Sequence, residues 1–215
     1  AEFAYLLAQY AAGTADPEAV PAFLRLALEY DPRHPWVAND LGYRLLEGEG
    51  SVAEAERLIA IAYEQLSDEA AIVDSLGWAR YHLGQLEDSP DPESGEIIPG
   101  AVTLLRKAAE LAGDDDDGVV SDHLGDALFR SGRTDRALEA WSDAARQASR
   151  LMNRLRASGA ANGLRLREIQ SLAAAAAMKR NAVQLAQPPA VAPQRGVSDV
   201  GDRPDSQPAD PPGTS

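Results

Sequence analysis

GVVSDHLGDALFRSGRTDRALEAWSDAARQA, residues 118–148, is the stretch on which the fold turns. Leu124-Gly125 opens it, an apolar pair Leu128–Phe129 follows, and Gly132 then interrupts the run. After the break come Ala137, Trp141 four residues on, and Ala144 three further. Apolar residues three and four apart mark one face of a helix, so the stretch predicts two helices joined at Gly132. Small residues (Gly125, Ala137, Ala144) stand where two backbones must come close, and Trp141 fills the space between them.

The same pattern recurs upstream. Leu41-Gly42-Tyr43 and Leu76-Gly77-Trp78 repeat the opening, and Ala55/Ile59/Ala62 and Ala101/Leu105/Ala108 repeat the small–large–small triplet. A weaker copy runs from Leu7-Ala8 through Ala27 to Pro32. Leu7 to Leu41 is 34 residues, Leu41 to Leu76 is 35, and Leu76 to Leu124 is 48 because Glu87–Pro99 is inserted between the two helices of that block. A single helix pair cannot bury its apolar face, so such pairs stack. Strand-like alternation is not evident, and the acidic insertion with its three prolines predicts a protruding loop.

These blocks resemble tetratricopeptide repeats of bacterial type. The resemblance rests on Leu124, Gly125, Ala127, Gly132, Ala137, Trp141 and Ala144 and covers about residues 1–150. It implies an all-α, right-handed superhelical solenoid of antiparallel helix pairs: a divergent or partial copy at 1–34, then repeats at 35–69, 70–117 (carrying the 87–99 loop) and 118–158. Arg80 departs from the motif, which wants an apolar or aromatic residue there; it is expected to snorkel toward a carboxylate. The first helix of each pair is implied to line a concave surface that in this family commonly holds a peptide. Carried onto this chain, that face is Asn39, Tyr43 and Leu46; then Asp74, Trp78, Tyr81 and His82; then Asp122, Asp126, Phe129 and Arg130, with Trp36 at the rim. Some relatives grip a peptide carboxylate with Lys and Asn. Here those places are chiefly Asp, which disfavours an acidic tail and favours a basic or amphipathic ligand.

Charge divides the chain. Of 215 residues, 20 are Lys or Arg and 34 Asp or Glu, for a net −14. Residues 1–145 carry −19, residues 146–180 carry +7, and residues 181–215 carry −2. The acidic body argues against a surface that tracks nucleic-acid phosphates, so no nucleic-acid partner is expected. The basic segment includes Arg146, Arg150 and Arg154 on one helical face and Arg165, Arg167, Lys179 and Arg180 beyond a break at Gly159–Gly163. It lacks aromatic residues for base stacking or bilayer anchoring, and is expected to fold back on the acidic body. A helix from about Leu164 to Ala186 would then cap the stack, with 159–186 as the capping unit. The last 29 residues, 187–215, hold 7 of the 14 prolines and read as a disordered tail.

Catalytic signals are sparse. The absence of cysteine excludes disulfides, cysteine-ligated zinc, iron–sulfur clusters and thiol nucleophiles. None of the G-x-S-x-G, H-E-x-x-H, P-loop or G-x-G-x-x-G motifs occurs. Asp122 and Asp126 share a helix face and His123 stands beside them, a set that could bind a cation or act as acid and base. The plainer account is an ion-paired or solvated helix start. Asp114–Asp117 before Gly118 lacks the alternating spacing of a calcium loop and reads as a helix-capping turn. His82 reads as a surface or capping residue. No cofactor, metal or catalytic residue is assigned.

No run reaches the about 18 apolar residues of a membrane helix. AEFAYLLAQY, residues 1–10, already reads as helix interior, so the chain is expected to begin inside a longer protein. The expected function is a non-catalytic scaffold for a protein or peptide. The alternative is a docking or accessory region of a larger enzyme whose catalytic domain lies upstream of residue 1.

Overall fold

Two amphipathic segments joined by a short connection fold as a helix pair when the free amides in the first turn of each are met. α3 (Pro35–Glu47) begins with Pro35 in its first turn, while His34 Nδ1 accepts the Val37 amide at 3.4 Å. Its partner α4 (Val52–Tyr63) begins with Ser51 Oγ accepting the Glu54 amide at 3.3 Å. The computed structural model describes residues 2–12, 19–48, 50–113, 116–158 and 163–195. The remaining helices are α1 (Glu2–Ala12), α2 (Val20–Tyr30), α5 (Ala70–His82), α6 (Ala101–Ala112), α7 (Val119–Arg130), α8 (Thr134–Ala157) and α9 (Gly163–Gln184). The described chain is all-helical apart from one two-stranded hairpin. None of its helices is long and apolar enough to cross a membrane.

Each helix packs on the next, and α3, α5, α7 and α9 also touch in succession. The three Leu-Gly steps explain how closely the pairs approach. A Cβ on Gly125 would stand 2.4 Å from the Trp141 ring, and one on Gly42 would stand 2.6 Å from Ile59 and 3.0 Å from the Ala55 carbonyl. Gly77 meets Leu105 in the same way, at 2.7 Å. The large residue of each triplet therefore lies directly on the glycine of its partner helix. Ile59, Leu105 and Trp141 are fully buried as a result. Two apolar clusters form: a small one of Ala4, Ala8, Val20, Leu24, Ala27, Val37 and Leu41, and a larger one running from Leu46 to α9.

Gly118 is a second place where only glycine fits. Its φ is +102°, and a Cβ there would meet the Ala144 carbonyl at 2.5 Å. Gly118, not an aspartate, occupies the cap position of α7; Asp116 and Asp117 accept the Gly118 and Val119 amides at 3.1 and 3.0 Å. The rest of the expected capping turn, Asp114 and Asp115, lies outside the described residues.

The 87–99 insertion is more ordered than a plain loop. β1 (Ser89–Pro90) pairs antiparallel with β2 (Ile97–Ile98), in register Ser89 with Ile98 and Pro90 with Ile97. Asp91 makes this turn by accepting the Glu93 and Ser94 amides at 2.9 and 2.7 Å. Two-residue strands carry no alternation to read, which is why the sequence pattern did not reveal them. Arg80 reaches Glu56 at 3.6 Å and donates to the Pro99 carbonyl, so its departure from the motif ties the insertion to the preceding pair.

At the C-terminal end, α8 reaches Ala157, while the break at 159–162 lies outside the described residues. α9 stops short of Ala186. The Gln187 amide bonds the Ala182 carbonyl at 2.8 Å, the Ala186 amide bonds that of Val183 at 3.0 Å, and Ala186 holds φ +55°. This closing pattern usually takes glycine at the left-handed position. It turns the chain sharply. Residues 187–195 then run without helix back over α7, α5 and α3, with Pro189 buried. The expected disordered tail thus begins with a stretch fixed by contacts; 196–215 lie outside the described residues.

Gly125→Ala should lower stability by about 1–3 kcal/mol despite alanine's better helix propensity, because Trp141 is too confined to yield. The midpoint of urea unfolding, followed by circular dichroism, checks this; an unchanged or raised midpoint contradicts the close approach.

Candidate functional site

The residues expected to line a groove all lie on α3, α5 and α7, where they divide between a filled half, packed against other side chains and the returning segment, and an open half.

The filled half centres on Asp126, which is 1% exposed. Its Oδ1 accepts the Lys179 ammonium at 2.6 Å and the Trp141 indole N–H at 3.0 Å. Its Oδ2 accepts the Ala192 amide at 3.0 Å. Lys179 also bonds Asp122 at 2.8 Å. One turn of helix separates the two carboxylates, so a single ammonium from α9 bridges both. Burial raises the Asp122 carboxyl above its usual range; Lys179 pulls it down, and neighbouring Asp126 adds to the rise. The lysine occupies the space between the carboxylates that a cation-binding reading of Asp122, His123 and Asp126 would need. Phe129 tilts against Trp141 at 5.8 Å and belongs to the packing.

His123 points elsewhere, as its position one residue round the helix requires. Its Nδ1 lies 3.0 Å from Asp74 of α5, and its ring stacks on Trp78 at 3.9 Å. Trp78 in turn stacks on Tyr81 at 4.6 Å, and His82 meets Trp78 edge-on at 4.8 Å. Burial works against the His123 charge, but Asp74, Asp122 and Asp126 together win and hold its pKa above the ordinary value. Trp78 and Tyr81 are 6% and 0% exposed, so these rings are wall rather than protruding contacts. Only the Tyr81 hydroxyl reaches outward, donating to the Ala192 carbonyl. His82, expected at the surface, is 5% exposed and donates from Nδ1 to the Pro193 carbonyl at 3.0 Å. Burial, with Arg195 nearby, lowers its pKa to about 4.

The open half is a cavity of about 1010 Å³. Asn39, Tyr43, Glu47, Asp74, Asp116 and Asp117 line it. Asn39 is 7% exposed, and its Oδ1 has no hydrogen-bond partner. Burial, then Glu47, Asp74 and Asp117, push the Tyr43 phenol up, so it stays a neutral donor. Leu46 belongs to the core with its side chain and to this face with its carbonyl, which Arg195 bonds. Trp36 is 38% exposed.

Sequence reading missed three participants. Lys179 was legible only as one member of a basic segment. Ala192 and Arg195 fell in a stretch whose composition reads as tail. The basic segment's return to the acidic body is visible in Lys179 with Asp122 and Asp126, and in Arg165 with Asp117 at 2.8 Å.

No family model matches the chain. Over 66 residues the chain is 36% identical to a Pseudomonas aeruginosa protein named as a TPR repeat-containing protein; the alignment covers 31% of this chain and 11% of that relative. The chain therefore spans about a tenth of the length of the curated relative it matches. That similarity and the all-helical fold are compatible with a tetratricopeptide-repeat-type protein.

Lys179→Ala would leave two buried carboxylates without their cation and should cost about 3–5 kcal/mol, read as a fall in the urea midpoint. A cost indistinguishable from that of an exposed lysine would refute the bridge. The histidines make a second prediction. In NMR titration His82 should gain its second proton near pH 4, and His123 should hold its own above 6.5. The unfolded chain protonates His82 near 6.5 while the folded chain does not, so its contribution to stability falls as pH drops from about 6.5 to about 4. His123 acts in the opposite sense: its contribution is full below about 6.5 and is lost as pH rises through its folded value. His82→Gln should remove the first effect and leave the second.

Proposed function

We propose that this chain is a non-catalytic protein-interaction scaffold. On this reading its helix pairs form a tetratricopeptide-like solenoid whose concave α3–α5–α7 face holds a peptide or protein segment carrying basic or amphipathic groups. One observation carries the reading: the acidic cavity, with the unmet acceptor of Asn39 in its wall, meets at Gly48 the stretch where residues of the same helices already grip main chain. Such a face offers what an extended peptide needs. Tyr81, His82, Arg130 and Asp126 meet backbone carbonyl and amide groups. In the cavity wall Asp40, Glu47 and Asp116 outnumber Arg44, while Asp74 and Asp117 are paired with His123 and Arg165, so the cavity is biased toward cations. The name of the Pseudomonas relative supports a repeat-type interaction role.

The function test uses a pair of synthetic peptides of equal length, alternating alanine with lysine in one and with glutamate in the other. The lysine peptide should bind and the glutamate peptide should not, with binding weakened at high salt. Glu47→Gln combined with Asp116→Asn, both in the cavity wall, should weaken the lysine peptide by about tenfold. Equal affinity for the two peptides, or indifference to the double substitution, would sink the proposal.

A further inference from the structure

Residues 192–195 contact the α3–α5–α7 face as a bound ligand would. Each makes a polar contact, and the contacts step across successive helices. The Ala192 amide donates to Asp126 of α7, and its carbonyl accepts from Arg130 at 3.0 Å and from Tyr81 of α5. The Pro193 carbonyl accepts from His82, and Gln194 donates from Nε2 to the Tyr81 carbonyl at 3.2 Å. The Arg195 amide donates to the His82 carbonyl at 2.8 Å. Its guanidinium then reaches α3, donating to the carbonyls of Leu46 and of Gly48, the latter at 2.6 Å.

The chemistry at each position follows. Ala192 lies against the main apolar cluster together with Val191, so a small apolar residue suits the position. Pro193 has no amide, and the face bonds only its carbonyl. The end of α3 presents carbonyls that have no intrahelical donor, at the negative pole of the helix, and a guanidinium satisfies two of them with one planar group.

We infer that this face recognises an extended segment of the pattern small apolar–Pro–polar–Arg, that residues 192–195 are its internal occupant, and that a partner's segment of the same chemistry binds by displacing them. The inference rests on the peptide-binding reading above and gives that ligand a sequence and a direction. Two features favour exchange. Most of the contacts go to main chain, which any segment of this pattern supplies equally. Gly48, beside the arginine, also lines the acidic cavity, so a partner whose chain carries cations past its arginine meets carboxylates there. Against exchange stands the tether: α9 ends only a few residues earlier, which gives the internal segment an effective concentration on the order of millimolar. The intact chain should therefore bind a free copy weakly.

The experiment uses the whole chain, its Arg195→Ala variant, and a fluorescein-labelled, amidated peptide with the sequence of residues 188–195. Fluorescence anisotropy reports binding, and circular dichroism confirms that the variant keeps its helices. Arg195→Ala should bind the peptide about tenfold or more tightly than the unaltered chain, since its own segment has lost its charged hydrogen bonds. A peptide with alanine in place of its arginine should bind the variant about tenfold more weakly. Equal peptide affinity for both chains would overturn internal occupancy while leaving the peptide-binding reading intact. No binding to either chain would overturn the recognition pattern, while the lysine peptide reports separately on the peptide-binding reading. Indifference to the peptide's arginine would overturn the recognition pattern.

Discussion

A single carboxylate, Asp126, gathers the C-terminal half of the molecule. It receives the indole of α8, the ammonium of α9 and a backbone amide of the returning segment, all within 3.0 Å. A carboxylate this deeply buried survives only if its charge is met and its lone pairs are filled. Those demands fix where α9 can lie, because Lys179 must reach both Asp126 and Asp122. They also fix where the chain goes after α9, because the remaining oxygen faces Ala192. The acidity of the body and the basicity of the following segment thus meet at one atom group rather than as a diffuse attraction.

The stacked rings His123, Trp78 and Tyr81 do comparable work between α7 and α5. Asp74 holds the imidazole from one side and Trp78 supports it from the other. Aromatic side chains that the repeat resemblance placed on a binding surface are therefore spent on joining neighbouring helices. Their polar tips, the Tyr81 hydroxyl and the His82 Nδ1, are directed at the main chain of residues 192 and 193, and the ring area serves as a rigid wall.

The helices and their close approaches were legible along the chain because Leu-Gly and the small–large–small triplets state a local rule: a glycine on one helix faces a bulky residue on the next. Asn39, Tyr43 and Asp74 were placed on one face by the repeat resemblance alone, and all three line one cavity. The burial of Trp78, Tyr81 and His82 was not legible. Successive positions on a helix stand about 100° apart, so Trp78, Tyr81 and His82 span a broad arc of α5, and how much of that arc is covered depends on how far the neighbouring helix and the returning segment advance. The short strands of the insertion escaped because a turn built on Asp91, rather than any alternation of side chains, holds them.

By itself the sequence determined the helix pairs, the packing steps at Gly42, Gly77 and Gly125, and the division of charge into an acidic body and a basic arm. Periodicity and composition are properties of neighbouring residues, and these features need nothing more. Tertiary structure alone decided that Lys179 bridges Asp122 and Asp126, that His123 turns to Asp74, and that residues 192–195 settle on the α3–α5–α7 face. Those partners stand about fifty or more residues apart. Only the arrangement of whole helices brings such groups within hydrogen-bond distance, and a buried carboxylate then selects which of the available donors it keeps.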